Sequence, residues 1–437
     1  MGNWKTLALA ATGLSALAAM PTAAQETPIA FENATIHTMR GDGLGTLENA
    51  TLIVHEGRIT TVGNGGVFIP ENAERRDATG MVIMPGIVDT HSHIGQVSGA
   101  DSSAAIQPDV RALDAINVGD NSIARARAGG VTVANIMPGS GHLMGGQTFY
   151  MKLRDGDTIE DYAFIDDDGD VLGGMKMANG TNPIRENPAF PSTRARSAAM
   201  VRSHFVEAQE YCSGERETVN LGMEAMCEIL DGERLVHFHT HRADDIMTAL
   251  RLREEFGFEM LIQHGVESYL VADELAAAGV SVSAILIDSP GGKLETAEAT
   301  IETAAILERA GVHTSLHSDD GIIDSRLMFR QAGIAVRGGM SYEGALRSMT
   351  IVGAEQLGLE DRVGSLEAGK DADFLILDGD PLSIYTDLQQ TWVEGELLFD
   401  RNRDEDLLLA TGGEGAGNER AALHHLSSEA HAMEADQ

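Results

Sequence analysis

The chain has 437 residues and a formal charge of −36, from 67 acidic and 31 basic side chains. Such an acidic surface repels polyanions, so nucleic acid and anionic membranes are excluded as partners. With 43% hydrophobic residues, a chain of this length can bury a large core. We therefore expect a globular protein, and the sequence leaves open whether copies of it form a homo-oligomer.

Residues 1–24 have the pattern of a secretory signal peptide. Lys5 precedes an apolar run over residues 7–20, and Thr22, Ala23 and Ala24 give a small-residue cleavage site. The run is short for a membrane span, so a periplasmic or secreted protein without membrane insertion after signal cleavage is predicted. In such an oxidising compartment Cys212 and Cys227 could pair, and the sequence does not decide whether they do.

Short alternating strands are predicted near both ends of the chain, at residues 34–38, 50–54, 58–62, 372–377 and 392–398. Each set is too small to fold well alone, so we expect one β-sandwich domain built from residues 25–80 and 362–404. Residues 405–437 are rich in Gly, Glu, Ala and Ser, which predicts a disordered tail.

The middle of the chain alternates apolar strands with helical patterns, which is typical of an α/β fold. Strands are predicted at residues 81–89, 131–136, 148–153, 174–177, 235–239, 260–263, 281–286 and 313–316. Helices are predicted at residues 243–255, 272–278, 296–310 and 342–357. Eight strands over residues 81–361 fit a (β/α)8 TIM barrel, whose functional site lies at the carboxyl ends of the strands.

Two histidines follow the first predicted barrel strand. His91 and His93 end the apolar run 81–88 and are separated by one residue. In extended chain, residues i and i+2 point to the same side, so both imidazoles can face one point. Paired imidazoles at a strand end are suited to bind a divalent metal.

Further candidate ligands follow three later strands. They are His237, His239 and His241 after the fifth, His264 after the sixth, and His317, Asp319 and Asp320 after the eighth. Because His237, His239 and His241 share one face, alternation alone does not choose among them. A regular array of such residues predicts a metal centre.

A lysine at the end of the fourth strand could complete this centre. Facing metal ions from a buried position, Lys176 would have its pKa depressed, and its neutral amine could become a carbamate. It could instead extend to solvent at the rim. Lys152, on the preceding strand, is an alternative for the same place.

The chain resembles the amidohydrolase superfamily, and within it the imidazolonepropionase-like and prolidase-like enzymes. The resemblance covers residues 28–400 and is carried by GRITTVG, MPGIVDTHSHIG, HFHTHRADDI, IQHGVESY, HSDD and RVGSLEAGKDADFLILDGDP. It implies a metal-dependent hydrolase of amide-type C–N bonds with a small-molecule substrate, namely a dipeptide, an N-acyl amino acid or a cyclic amide.

The resemblance also implies roles for individual residues. His91 and His93 would bind one metal, His239 and His264 a second, and a carboxylated Lys176 would bridge the two. Asp319 would contact the first metal and transfer protons in catalysis. Two divalent ions, with zinc favoured, would activate the attacking water.

Other assignments are less direct. His142, Tyr150, His241 and Arg242 are candidate substrate contacts, although Arg242 could instead pair with Asp244 or Asp245. Relatives often carry a glutamate in a GEN segment where this chain has Gly180, Thr181 and Asn182. The alternatives are a deaminase acting on a heterocycle, for which Arg242 stands where glutamate is expected, and a barrel that binds without catalysis.

Overall fold

The computed structural model describes residues 27–96, 101, 103–166, 168–214, 218–286, 293–414 and 416. The predicted signal peptide lies outside these residues. The strands are β1 (Ile29–His37), β2 (Thr46–His55), β3 (Arg58–Asn64), β4 (Glu74–Asp77), β5 (Val82–Pro85), β6 (Ile87–Ser92), β7 (Val131–Ile136), β8 (Met144–Gln147), β9 (Phe149–Lys152), β10 (Met175–Ala178), β11 (Val236–Thr240), β12 (Met260–His264), β13 (Ser281–Ala284), β14 (Thr314–Leu316), β15 (Phe374–Leu377), β16 (Leu388–Val393) and β17 (Glu396–Asp400).

The helices are α1 (Asn121–Ala128), α2 (Ile159–Tyr162), α3 (Arg194–Ser213), α4 (Leu221–Leu230), α5 (Ala243–Phe256), α6 (Ala272–Ala278), α7 (Thr303–Ala310), α8 (Met328–Arg337), α9 (Tyr342–Ser348), α10 (Ile351–Leu357) and α11 (Asp404–Thr411). Short 3-10 turns precede α6, α7 and α8. The predicted helix 342–357 is two helices, because residues 349 and 350 interrupt it. Within the described residues, no helix has the length and apolar content that a membrane span requires.

Both ends of the chain contribute to one eight-stranded sheet. Its order is β17-β16-β15-β5-β1-β2-β3, with β4 paired to β1. Aromatic residues from both ends pack together in its core, where the rings of Phe31 and Phe374 lie 5.1 Å apart and those of Phe31 and Trp392 5.3 Å apart. The two terminal segments therefore share one sheet and one core.

Two details near this sheet differ from the predictions. The apolar run 81–89 forms two strands, because β5 joins the eight-stranded sheet and the chain turns at Gly86 into β6. The predicted tail from residue 405 begins as helix α11, where Asp406 accepts a hydrogen bond from the Asp400 backbone and Arg326 donates one to the Leu409 carbonyl. The prediction of disorder is therefore wrong for residues 405–411. Residues 417–437 lie outside the part of the chain that the structure describes.

The remaining strands form two sheets that carry the candidate ligands. One has the order β6-β7-β9 and the other β14-β13-β12-β11-β10-β8. The pairs β6/β7, β10/β11, β11/β12, β12/β13 and β13/β14 are parallel. Most of these strands are buried along their whole length, which is why they are near-continuous apolar runs.

The third predicted strand departs from a parallel repeat. The predicted strand 148–153 is β9, which is antiparallel to β7, and the strand just before it, β8, is antiparallel to β10. An apolar run specifies burial but not direction, so the sequence pattern could not show this reversal.

The two cysteines are joined. A Cys212–Cys227 disulfide connects the end of α3 to α4, with a sequence separation of 15 residues. The pairing that the sequence left open is therefore present in the structure.

Candidate metal centre

Three predicted ligands meet where β6 and β14 end. Asp319 Oδ1 lies 2.9 Å from His93 Nε2 and 3.4 Å from His91 Nε2. The Asp319 backbone N–H donates to the His91 carbonyl at 2.9 Å, which fixes the two strand ends beside each other. His91, His93 and Asp319 each offer a ligand atom within 4.8 Å of the others.

Neighbouring groups orient these two imidazoles. Gln263 Oε1 lies 3.1 Å from His91 Nδ1, and the Met137 carbonyl lies 2.8 Å from His93 Nδ1. In each ring the Nδ1 position is thus occupied, so the Nε2 atoms face Asp319. Such contacts set the tautomer and direction of metal-binding histidines.

Lys176 points into the same cluster from β10. Its Nζ lies 3.2 Å from His91 Nε2, and the side chain is buried. Burial lowers the pKa of Lys176 to about 7, even though the Asp319 carboxylate opposes this shift. A substantial fraction of the amine is therefore neutral near neutral pH, which carbamate formation requires.

His264 enters the cluster through an unusual backbone conformation. It ends β12 with φ +71°, a left-handed conformation that is uncommon outside glycine. This reversal lets His264 join the cluster although the preceding residue, Gln263, also contacts His91. Its Nδ1 lies 3.1 Å from His317 Nε2 and 3.9 Å from Asp319 Oδ2.

A second group of donors lies beside the first. His239, His241 and Glu295 offer ligand atoms within 4.8 Å of one another, and all three residues are buried. The His239 ring lies 4.5 Å from that of His264, centroid to centroid. The predicted ligands His91, His93, Lys176, His239, His264 and Asp319 thus converge in one continuous cluster.

The donor atoms in this cluster suit a divalent ion. His264 Nε2, His239 Nδ1, His241 Nδ1 and Glu295 Oε1 are buried and have no hydrogen-bond partner within the described residues. Buried polar atoms are normally paired, because an unpaired one costs about 1–3 kcal/mol. Imidazole nitrogens with carboxylate oxygens form the ligand sets that bind zinc.

Three of the histidines are held neutral, as metal ligands must be. Burial lowers the pKa of His91, His239 and His264 well below its ordinary value. Lys176 acts in the same direction on His91 and His239, and the neighbouring imidazoles do so on His264. Burial raises the pKa of Asp319, but the contact with His93 and the positive charge of neighbouring groups outweigh it and hold the pKa below its usual value. Asp319 is therefore a carboxylate that can accept a proton.

The rival lysine, Lys152, lies elsewhere. It is fully buried, and its ammonium pairs with Asp371, with Asp373 at 3.0 Å and with Glu394 at 3.4 Å. Burial opposes the charge, but these carboxylates raise the pKa of Lys152. Lys152 therefore fixes the strands to the eight-stranded sheet and does not face the histidines.

The predicted substrate contacts separate in the structure. Tyr150 packs in a buried cluster with Val88, Val133 and Phe164, so it belongs to the core. Arg242 is paired with Asp244 at 2.8 Å, which is the alternative that the sequence allowed. His142 is buried, and its ring centroid lies 5.7 Å from that of Phe190. Of the four predicted substrate contacts, only His241 lies in the donor cluster.

The sequence prediction missed Glu295, which lies nine residues beyond the seventh predicted strand, so its loop position gave no signal. His317, one of the three candidates after the eighth predicted strand, does lie in the cluster. His91, His264 and His317 offer ligand atoms within 4.8 Å of one another.

Known proteins share this architecture. Residues 199–398 match the Amidohydrolase family. The structure of an amidohydrolase from Thermotoga maritima MSB8 is 34% identical with a TM-score of 0.79, covering 85% of this chain and all of that one.

Two further relatives are more distant. The amidohydrolase tasK of Hapsidospora irregularis is 28% identical over 389 residues, which cover 80% of this chain and 40% of that protein. The chain therefore spans two fifths of the length of tasK. An imidazolonepropionase of Sphingopyxis alaskensis is 23% identical over 387 residues, covering 81% of this chain and 93% of the relative.

Sequence and structure agree on one assignment. The Thermotoga maritima protein is matched over its full length, and the fold brings metal-binding side chains together at the strand ends. This chain therefore belongs to the amidohydrolase family, metal-dependent hydrolases that act on C–N bonds.

Proposed function

We propose that this protein hydrolyses an amide-type C–N bond of a dipeptide, an N-acyl amino acid or a cyclic amide. The observation that carries the proposal is the convergence of His91, His93 and Asp319 with Lys176 between two groups of imidazoles. A carboxylate able to move a proton lies there beside nitrogens able to bind a divalent ion.

We also propose that the two sheets of the catalytic region close into one eight-stranded barrel, in which β8 and β9 together form one strand, above a two-layered β-sandwich. Closure is supported where β14 meets β6, because Ser318 N–H donates to Asp89 Oδ1 at 3.0 Å and Asp319 N–H donates to the His91 carbonyl. On the other side, β8 and β9 follow one another in sequence and pair with β10 and β7.

In the proposed centre, His91, His93 and Asp319 hold one divalent ion and His239 and His264 hold a second, with zinc favoured by the nitrogen-rich donors. When bound, such ions polarise a carbonyl and lower the pKa of water from 15.7 to about 7. Lys176, as a carbamate, would offer two oxygens between the two groups.

Asp319 supplies the acid–base chemistry. As a carboxylate it accepts the proton of the attacking water, and it then delivers that proton to the leaving amine. The Asp319 backbone N–H, which donates to the His91 carbonyl at 2.9 Å, holds the residue in position through this exchange.

We further propose that the protein is exported. The signal-like residues 1–24 support this, and so does the Cys212–Cys227 disulfide, which persists in oxidising compartments. Substrates would then be molecules met outside the cytoplasm.

A substrate panel tests the proposal. The purified full chain, supplied with Zn²⁺, is assayed with dipeptides, N-acyl amino acids, lactams, lactones and amino-heterocycles. Turnover of an amide is expected. Turnover of amino-heterocycles alone would instead show a deaminase.

A further inference from the structure

A buried glutamate faces the histidines that follow β11. Glu295 lies in the segment before α7, outside every predicted strand end, and only 4% of its surface is exposed. It approaches His239 and His241 so closely that all three ligand atoms lie within 4.8 Å of one another. Acidic side chains are rarely this buried unless they are paired or bind a cation.

One oxygen of this carboxylate is fixed by the protein. Glu295 Oε2 accepts a hydrogen bond from the Thr181 backbone at 2.9 Å and one from Arg194 Nη2 at 3.3 Å. Arg194 is itself held by Asp245, whose two oxygens lie 2.9 and 3.1 Å from its Nε. The carboxylate is thus oriented before any ligand arrives.

The chain makes room for this oxygen. Gly180 has φ +73°, and a Cβ at that position would lie 2.8 Å from Glu295 Oε2. A side chain at residue 180 would therefore push the carboxylate away. The Gly180-Thr181 turn therefore holds a glutamate from another loop.

The other oxygen is left for a ligand. Glu295 Oε1 is buried and unpaired within the described residues, and so are Nδ1 of His239 and Nδ1 of His241. Two imidazoles and one carboxylate are the ligand set of many catalytic zinc sites. In a tetrahedral site their donor atoms lie about 3.3 Å apart, so small side-chain movements would suffice.

We propose that Glu295 and His241 are ligands of the divalent ion that His239 binds. One ion is then held by His91, His93 and Asp319, and the other by His264 together with a His-His-Glu set on the side of α3. The carboxylate balances charge at an ion otherwise held by neutral imidazoles. The ion would bind near a second positive charge, because the Lys293 ammonium faces the same group.

The inference extends the proposed function, because both concern one cleft, and its test measures ion binding rather than turnover. Co²⁺ alone is titrated into the metal-free full chain, and bound ion is followed by equilibrium dialysis and visible absorption. Wild type should bind two ions. Glu295→Gln should bind one ion with unchanged affinity and the second at least about tenfold more weakly.

A matched control and a second variant complete the test. Glu298→Gln removes an exposed carboxylate three residues away and should bind two ions as wild type does. His241→Asn leaves Thr181 and Arg194 untouched and should weaken the same single ion, so the inference can still be tested if Glu295→Gln fails to fold.

The outcomes are distinct. If Glu295→Gln and His241→Asn keep both ions at wild-type affinity, the inference is overturned. It is also overturned if Glu295→Gln keeps both ions but raises only the KM of substrates with a free ammonium group. A wild-type chain that binds no ion would contradict the proposed function as well.

Discussion

The proposed role of Asp319 requires a negatively charged side chain. It has φ +50°, an uncommon left-handed backbone conformation, and its carboxylate contacts both His91 and His93. Such backbone conformations concentrate at functional sites. Its role follows from its charge, because only the carboxylate can take a proton from water.

Replacing Asp319 with Asn tests this role. The amide keeps the shape and one oxygen but cannot accept the proton, so kcat should fall at least about 100-fold while ion binding largely remains. Steady-state kinetics and metal content are measured together. Asp361→Asn, at an exposed position, is the control, and a fully active Asp319→Asn enzyme would refute the assignment.

Lys152 gives a contrasting prediction at the same scale. In the Lys152→Met variant, Asp371 and Asp373 stay buried but lose the ammonium that offsets their charge. The free energy of unfolding should therefore drop by about 3–5 kcal/mol. Urea unfolding of the metal-free chain measures this change. Arg75→Met, which breaks an exposed pair with Glu32, should cost at most about 1 kcal/mol. Equal effects would contradict the account of the lysine.

At the scale of elements, the disulfide stabilises the packing of α3 against α4. A loop of 15 residues closed by a disulfide contributes about 3 kcal/mol, chiefly by restricting the unfolded chain. The Cys212→Ser, Cys227→Ser double variant should lose about this much in urea unfolding. Addition of a reductant to wild type should produce a similar loss, and no change in either case would contradict the bond.

The buried strand ends make stability depend on pH. Burial lowers the pKa of His237 and His317 to about 3 and that of His241 to about 4. Below about pH 6.5 the unfolded chain binds protons that the native chain excludes, so stability falls with the pH until these folded pKa values are reached. Asp89 and Asp373, whose pKa values burial raises to about 7 and about 6, act in the opposite direction.

Histidines with a lowered pKa outnumber the two carboxyl groups with a raised pKa. The free energy of unfolding of the metal-free protein should therefore fall by at least about 1.4 kcal/mol per pH unit between pH 6 and pH 4.5. Urea unfolding across this range measures the slope. His237→Gln should reduce this slope by roughly the amount that one proton contributes, because residue 237 no longer takes up a proton on unfolding. A slope near zero in wild type would show that these rings are charged in the native state.

For the whole molecule, the sequence predicted the candidate metal-binding positions better than the strand directions. His91 and His93 were recognisable because they follow a buried apolar run, whereas the choice of His239 and Asp319 among their neighbours rested on the family resemblance. The reversal of β9 and the division at Gly86 were not, since apolar patterning carries no direction and a strand can leave one sheet for another. Glu295 reaches the site from a loop, and only three-dimensional contacts show its place.

The central claim is that the converged side chains bind divalent ions that the reaction needs. The direct measurement is turnover of an amide substrate identified in the panel, before chelation, after removal of metal and after addition of Zn²⁺. The account predicts that chelation abolishes turnover and that about two equivalents of Zn²⁺ restore it. Turnover that persists in the fully metal-free chain would contradict the account.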